Sequence, residues 1–195
     1  MGAPIVMYQP VLDFWFGAPD SVEYGQSRSC WFTKNDEFDG LIRERFGAQV
    51  SAALDGRHEH WLAEPASALA YIITLDQFTR NIFRGQTAAF SGDCRALASA
   101  RLMVAKCWDQ HLLPVQRSFC YLPFEHSENP ADQDESVRLY SQLDADQKPG
   151  GLLEWAVKHR DIIVRFGRFP HRNETLRRAS TAEELEFLKQ SGSRF

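Results

Sequence analysis

Apolar residues recur through most of the chain at intervals of three and four, the spacing that places side chains on one face of an α-helix. Asn35 precedes the first clear run, and Asp36 and Glu37 follow it; a short polar cap and early carboxylates suit a helix N-terminus. Phe38, Leu41, Ile42, Phe46, Val50 and Ala53 then form one stripe, and Gly56 follows its end. A second helix is predicted from Pro65 to about Arg84, with Ala68, Leu69, Ile72, Leu75, Ile82 and Phe83 inward and Gly85 as the stop. A third covers about Ser91 to Trp108, with Cys94, Leu97, Ala98, Ala105 and Trp108 inward.

Pro114 fits the first turn of a fourth helix, and Pro123 should break or kink it. Asn129-Pro130 reads as cap and first residue of a fifth, carrying Val137, Tyr140 and Leu143. Asp144 to Gly151 is the clearest loop. The next helix places Leu152, Trp155, Ala156, Ile162, Ile163 and Phe166 on one side. Thr181 and Glu184 make a capping box before a short last helix ending near Gln190. Strand signals are poor: Tyr71 to Leu75 is β-like in composition, but its flanks continue a helical period. The expected fold is therefore all-α, with antiparallel helical hairpins in a bundle or short superhelix, and a single domain over 1–195. A groove between helix pairs is the default ligand site.

Composition narrows this picture. The 195 residues are 44% hydrophobic, enough for a real core. A formal net charge of −4 argues against nucleic-acid and membrane-surface partners. From Lys158 to Arg178, however, seven cations stand against two anions, a local +5 that leaves −9 for the remainder. Such a basic island suits an anion, or else pairs with the chain's own carboxylates. Cys30, Cys94, Cys107 and Cys120 form no C-x-x-C pair and read as free thiols of a cytoplasmic protein. Met1 to Pro4 opens no signal peptide, Val6 breaks a myristoylation pattern, and no apolar run approaches a membrane span.

Candidate chemistry lies where polar residues occupy apolar stripes. Asp76 falls four residues after Ile72, with Arg80 four further on and Gln77, Asn81 and Arg84 beside them. His159 lies four after Trp155 and seven after Leu152. Glu125, His126 and Glu128 follow the expected break at Pro123. Glu125, His126 and His159 are the candidate catalytic groups, His126 as general base with Glu125 orienting it. The alternatives are a satisfied core histidine and a buried ion pair that fixes helix register. No zinc signature, nucleophile elbow, dinucleotide or Walker motif occurs, so no cofactor or metal is indicated.

Five ordered segments are familiar: Val11-Leu-Asp-Phe-Trp-Phe-Gly17, Trp31-Phe32, Leu75-Asp-Gln-Phe-Thr-Arg-Asn81 with Arg84-Gly85, Tyr121-Leu-Pro-Phe-Glu-His-Ser-Glu128, and His159 through Asn173. In these the chain resembles the bacterial family called domain of unknown function 924. The resemblance implies a fold similar to tetratricopeptide-like helical hairpins and brings no established activity. The family usually has Pro at the position of Thr79, so this helix should be straighter here. It usually has Leu-Gly-Arg at Leu176-Arg177-Arg178, so Arg177 adds a charge to the island.

The leading expectation is a module whose polar groove binds a small anion or a peptide carboxylate. Its lining would be Asp76, Gln77, Arg80, Arg84, Glu125, His126, His159, Arg165, Arg168, His171, Arg172 and Asn173. The alternatives are a hydrolase-like enzyme using histidine acid–base chemistry and a protein–protein scaffold; a homo-oligomer stays open.

Overall fold

The computed structural model describes residues 8–145 and 151–193, and it is all-α. Of the loop expected from Asp144 to Gly151, residues 144 and 145 are instead helical and 146–150 lie outside the described residues, as does the N-terminal segment read for a signal peptide. Among the described residues no helix is long and apolar enough to cross a membrane.

Helix α1 (Gln9–Phe16) buries Val11, Leu12, Trp15 and Phe16. Arg28 Nη1 donates to the carbonyls of Phe14 and Trp15 at 2.7 and 3.0 Å, satisfying groups that a helix C-terminus leaves unpaired. Helix α2 (Asp36–Leu54) starts at Asn35, whose side chain accepts from the backbone amides of Glu37 and Phe38. Its buried stripe is Phe38, Asp39, Ile42, Phe46, Val50 and Ala53; Leu41, expected inward, is 42% exposed. The expected helix from Pro65 to Arg84 is three pieces: α3 (Pro65–Ile72), a π-helical turn over Ile73–Phe78, and α4 (Thr79–Ile82). The π-helical turn forms with Thr rather than Pro at position 79. Thr74 and Thr79 each return their hydroxyl to a carbonyl four residues back, Ala70 and Leu75, both at 2.7 Å. Such back-bonding opens and bends a helix without proline.

Helix α5 (Asp93–Ala105) packs against α3 and α6 through Ala96, Ser99, Ala100 and Met103. This differs from the expected stripe, since Cys94, Ala98 and Ala105 are exposed. Small residues form the buried face here because the backbones approach closely. At Gly92, which precedes α5, an added Cβ would stand 2.1 Å from the Leu75 carbonyl oxygen.

Helix α6 (Pro114–Glu125) runs through Pro123 rather than breaking there, and ends two residues later. Helix α7 (Pro130–Ala145) packs on α6 and α8 (Leu152–Phe166), and Asn129 Oδ1 accepts from the amide of Ala131. Trp155, expected inward on α8, is 46% exposed, with Lys158 Nζ 4.6 Å from its ring centre. The last helix, α9 (Ala182–Phe187), begins with the expected capping box of Thr181 and Glu184. One large core joins α1 through α8. A small second cluster of Ile162, Ile163 and Phe169 carries Phe166 and Phe187 on its edge and seats α9.

Candidate functional site

The π-helical turn carries Asp76 into the interior, where it is 1% exposed. Its carboxylate meets three side chains. His126 Nδ1 lies 2.7 Å from Oδ1, Arg80 Nη1 lies 3.1 Å from Oδ1, and Gln77 Nε2 donates to Oδ2 at 2.6 Å. Arg80 also donates to the Asp76 carbonyl, 2.8 Å, which the widened turn leaves free. The same Nη1 also donates to Asp93 Oδ1 at 2.8 Å, and Nη2 donates to Asp93 Oδ2 at 3.2 Å. Burial alone would raise the Asp76 carboxyl, but Arg80 and His126 hold it well below the usual carboxylate range.

His126 is the residue following α6, and its side chain is 15% exposed. Burial and the neighbouring Arg80 push the imidazole below its ordinary value, against the pull of Asp76. A neutral ring facing an ionised carboxylate must carry its proton on Nδ1, so Nε2 is left as a bare acceptor. Arg172 Nη1 donates to the His126 carbonyl at 3.0 Å, and its guanidinium lies 4.5 Å from the Phe169 ring centre and 5.0 Å from that of Phe90. Burial and Arg80 bring Arg172 down to about 10.

Glu125 points the other way, as neighbouring helical residues must. His159 Nδ1 lies 3.2 Å from its Oε1 and 2.9 Å from the Trp155 carbonyl. Burial, then Asp76, raises Glu125 to about 8, so it is protonated at neutral pH. Burial lowers His159 to about 4 and His171 to about 3. The rings of His159 and His171 flank Phe169 at 5.6 and 5.7 Å. The two buried carboxyl groups thus hold opposite charge states, Asp76 ionised beside Arg80 and His126, and Glu125 neutral beside His159.

The expected single groove therefore divides. Asp76, Gln77, Arg80, His126 and Arg172 form one network, with Glu125, His159 and His171 behind it. Arg84 belongs elsewhere: its Nε and Nη2 clamp Asp39 at 2.7 and 2.9 Å, beside Asn81, in a surface cleft of about 450 Å³. Arg165 pairs with Glu183, and Arg168 clamps Glu184 at 2.6 and 2.8 Å. Asn173 donates to Ser180 and Glu184. Carboxylates of the chain itself thus pair with these groups, Asp39 of α2 with Arg84, and Glu183 and Glu184 of α9 with Arg165, Arg168 and Asn173.

Sequence reasoning missed Asp93, Glu184 and Arg178. Arg178 pairs bidentately with Glu128 at 2.6 and 2.9 Å, and Glu128 also accepts from the Phe169 amide. Asp93 signals only an acid at a helix start, which dipole stabilisation explains equally well. Among the described residues no three His, Cys, Asp or Glu side chains converge to hold a metal ion, and all four cysteines are free.

The profile of a family described as bacterial proteins of unknown function, DUF924, matches residues 11–192. The chain belongs to the DUF924 family. A solved structure, that of the protein of unknown function ATU0120 from Agrobacterium tumefaciens, is 36% identical. It superposes with a TM-score of 0.83, over 93% of this chain and 96% of that one. No curated protein matches the chain. Asp76, His126, Arg80 and Arg172 all fall within the DUF924 match.

Proposed function

We propose that this protein binds a small anionic molecule and performs acid–base chemistry on it at His126. The observation that carries the reading is the 2.7 Å contact between Asp76 Oδ1 and His126 Nδ1. It fixes the tautomer that leaves Nε2 unprotonated and able to accept, on a ring still partly open to solvent. Asp76 orients and supports that ring. His126 would take a proton from a substrate or a water at Nε2 and return it to the leaving group. In a hydrolysis the oxygen of a bound water would attack the electrophilic centre as His126 takes its proton, and the bond to the leaving group would break as that proton is returned. Arg80 and Arg172 supply positive charge next to the dyad, which suits an anion.

The same residues suit a receptor for a small anion or a peptide carboxylate without turnover, and the two guanidinium groups favour that second reading equally. A protein–protein scaffold built of tetratricopeptide-like hairpins has only the helical architecture behind it.

The test is thermal-shift screening against a library of small carboxylic and phosphorylated metabolites, with each hit followed by NMR for consumption. A ligand that binds the native state raises the midpoint by mass action. The expected hit is consumed by wild type and bound but not consumed by His126→Gln. A hit that both proteins bind and neither changes leaves the receptor reading and removes the enzyme.

A further inference from the structure

We propose that the molecule handled at His126 carries a carboxylate, and that Arg172 holds it side-on through Nε and Nη2; this rests on the reading of His126 as the reacting group's neighbour. Arg172 is 7% exposed, and its hydrogen bonding is confined to one end of the guanidinium, Nη1 to the His126 carbonyl. Nε is buried with no hydrogen-bond partner, and Nη2 donates to no described residue. These two N–H groups lie along one edge of the plane, the fork that matches two carboxylate oxygens. Elsewhere the chain fills that edge with carboxylates of its own. Arg84 offers Nε and Nη2 to Asp39, and Arg168 offers the same pair to Glu184. Arg172 leaves the Nε of that edge buried and unpaired, and an unmet buried donor on a charged group is costly.

The neighbouring carboxylates are committed. Asp93 comes no closer than 3.8 Å, at the Nη1 end, and it is held by Arg80. Glu128 is taken by Arg178. Packing against Phe90 and Phe169 fixes the guanidinium plane, so the fork is aimed before a ligand arrives. Charge selects among anions. Arg80 and Arg172 are balanced by Asp76 and Asp93, so the geometry of the fork holds the ligand, and the two resident carboxylates repel a dianion twice as strongly as a monoanion. A monocarboxylate therefore fits better than phosphate.

The experiment titrates 15N-labelled protein with acetate and, separately, with inorganic phosphate, following the Arg172 Nε–H resonance. Acetate should move that resonance saturably, and phosphate at equal concentration should move it less. Arg172→Lys keeps the charge but loses the fork, and should weaken acetate binding about tenfold or more. An unmoved Nε–H resonance under acetate, tighter binding of phosphate, or equal acetate binding by the folded lysine variant overturns the proposal. Should that variant not fold, the wild-type resonance decides alone. Acetate seated at Arg172 beside a His126 that consumes no ligand retains this inference and defeats the enzyme; an active His126 with no acetate at Arg172 does the reverse.

Discussion

At the scale of the residue, Glu125 and Arg177 sit in conformations or charge states that ordinary chemistry disfavours. Glu125 rises from 4.5 to about 8 on folding. Between those values the native state holds a proton that the unfolded chain has released, so stability falls as pH rises through this window. His159 and His171, lowered to about 4 and 3, act in the opposite sense only below about 6.5, where the unfolded rings begin to charge. Urea midpoints should therefore drop between pH 6.5 and 8 in wild type and stay level in Glu125→Gln. Matching slopes in the two proteins would show that Glu125 is ionised in the native state. Arg177 has φ of 54°, in the left-handed region that favours Gly. Arg177→Gly should raise stability by about 1 kcal/mol, read from the same midpoints. The sequence made Asp76 and His126 legible as polar residues beside apolar stripes. It could not show that Arg168 and Asn173 are occupied, because their partner Glu184 lies in α9 and reads locally as half of a capping box.

At the scale of the element, the π-helical turn over Ile73–Phe78 is what converts a core position into a site. Its free carbonyls are taken up by Thr79 and Arg80, and its outer surface receives Gly92. Gly92→Ala would put a methyl group against the Leu75 carbonyl, and either α5 or the turn must shift. Overpacking of this kind should lower stability by about 1–3 kcal/mol, with His126 resonances displaced as well as the melting temperature. A lowered melting temperature with unmoved His126 resonances would mean that the strain is absorbed away from Asp76. Helical periodicity was enough to find most helices, since α2, α6 and α8 bury near-continuous stripes. It failed on the turn, because back-bonding by Thr74 and Thr79 is decided by rotamers that spacing does not encode. It failed on α5 because Ala and Ser face the core there only where a neighbouring backbone comes close.

At the scale of the whole molecule, the segment from Lys158 to Arg178 and helix α9 work as one charged unit. Glu184 draws on Arg168, the Thr181 amide and Asn173, and Arg168 holds its carboxyl down at about 2. Its stabilising effect is present above the unfolded value near 4.5 and is lost as pH falls through about 2. Glu184→Ala should release α9, seen as faster amide exchange across Ala182–Phe187 with little change at α3. Equal acceleration everywhere would mean that α9 is part of the global unfolding unit.

The carboxylates of α9 also act as built-in counterions. They quench a cluster of guanidinium groups on a chain whose total charge, −4, gives no hint of it. A Glu183→Gln, Glu184→Gln protein would unmask that cluster and should be retained on heparin resin at low salt, eluting as ionic strength rises. In this protein, then, Glu183 and Glu184 set whether the basic face is visible to polyanions at all.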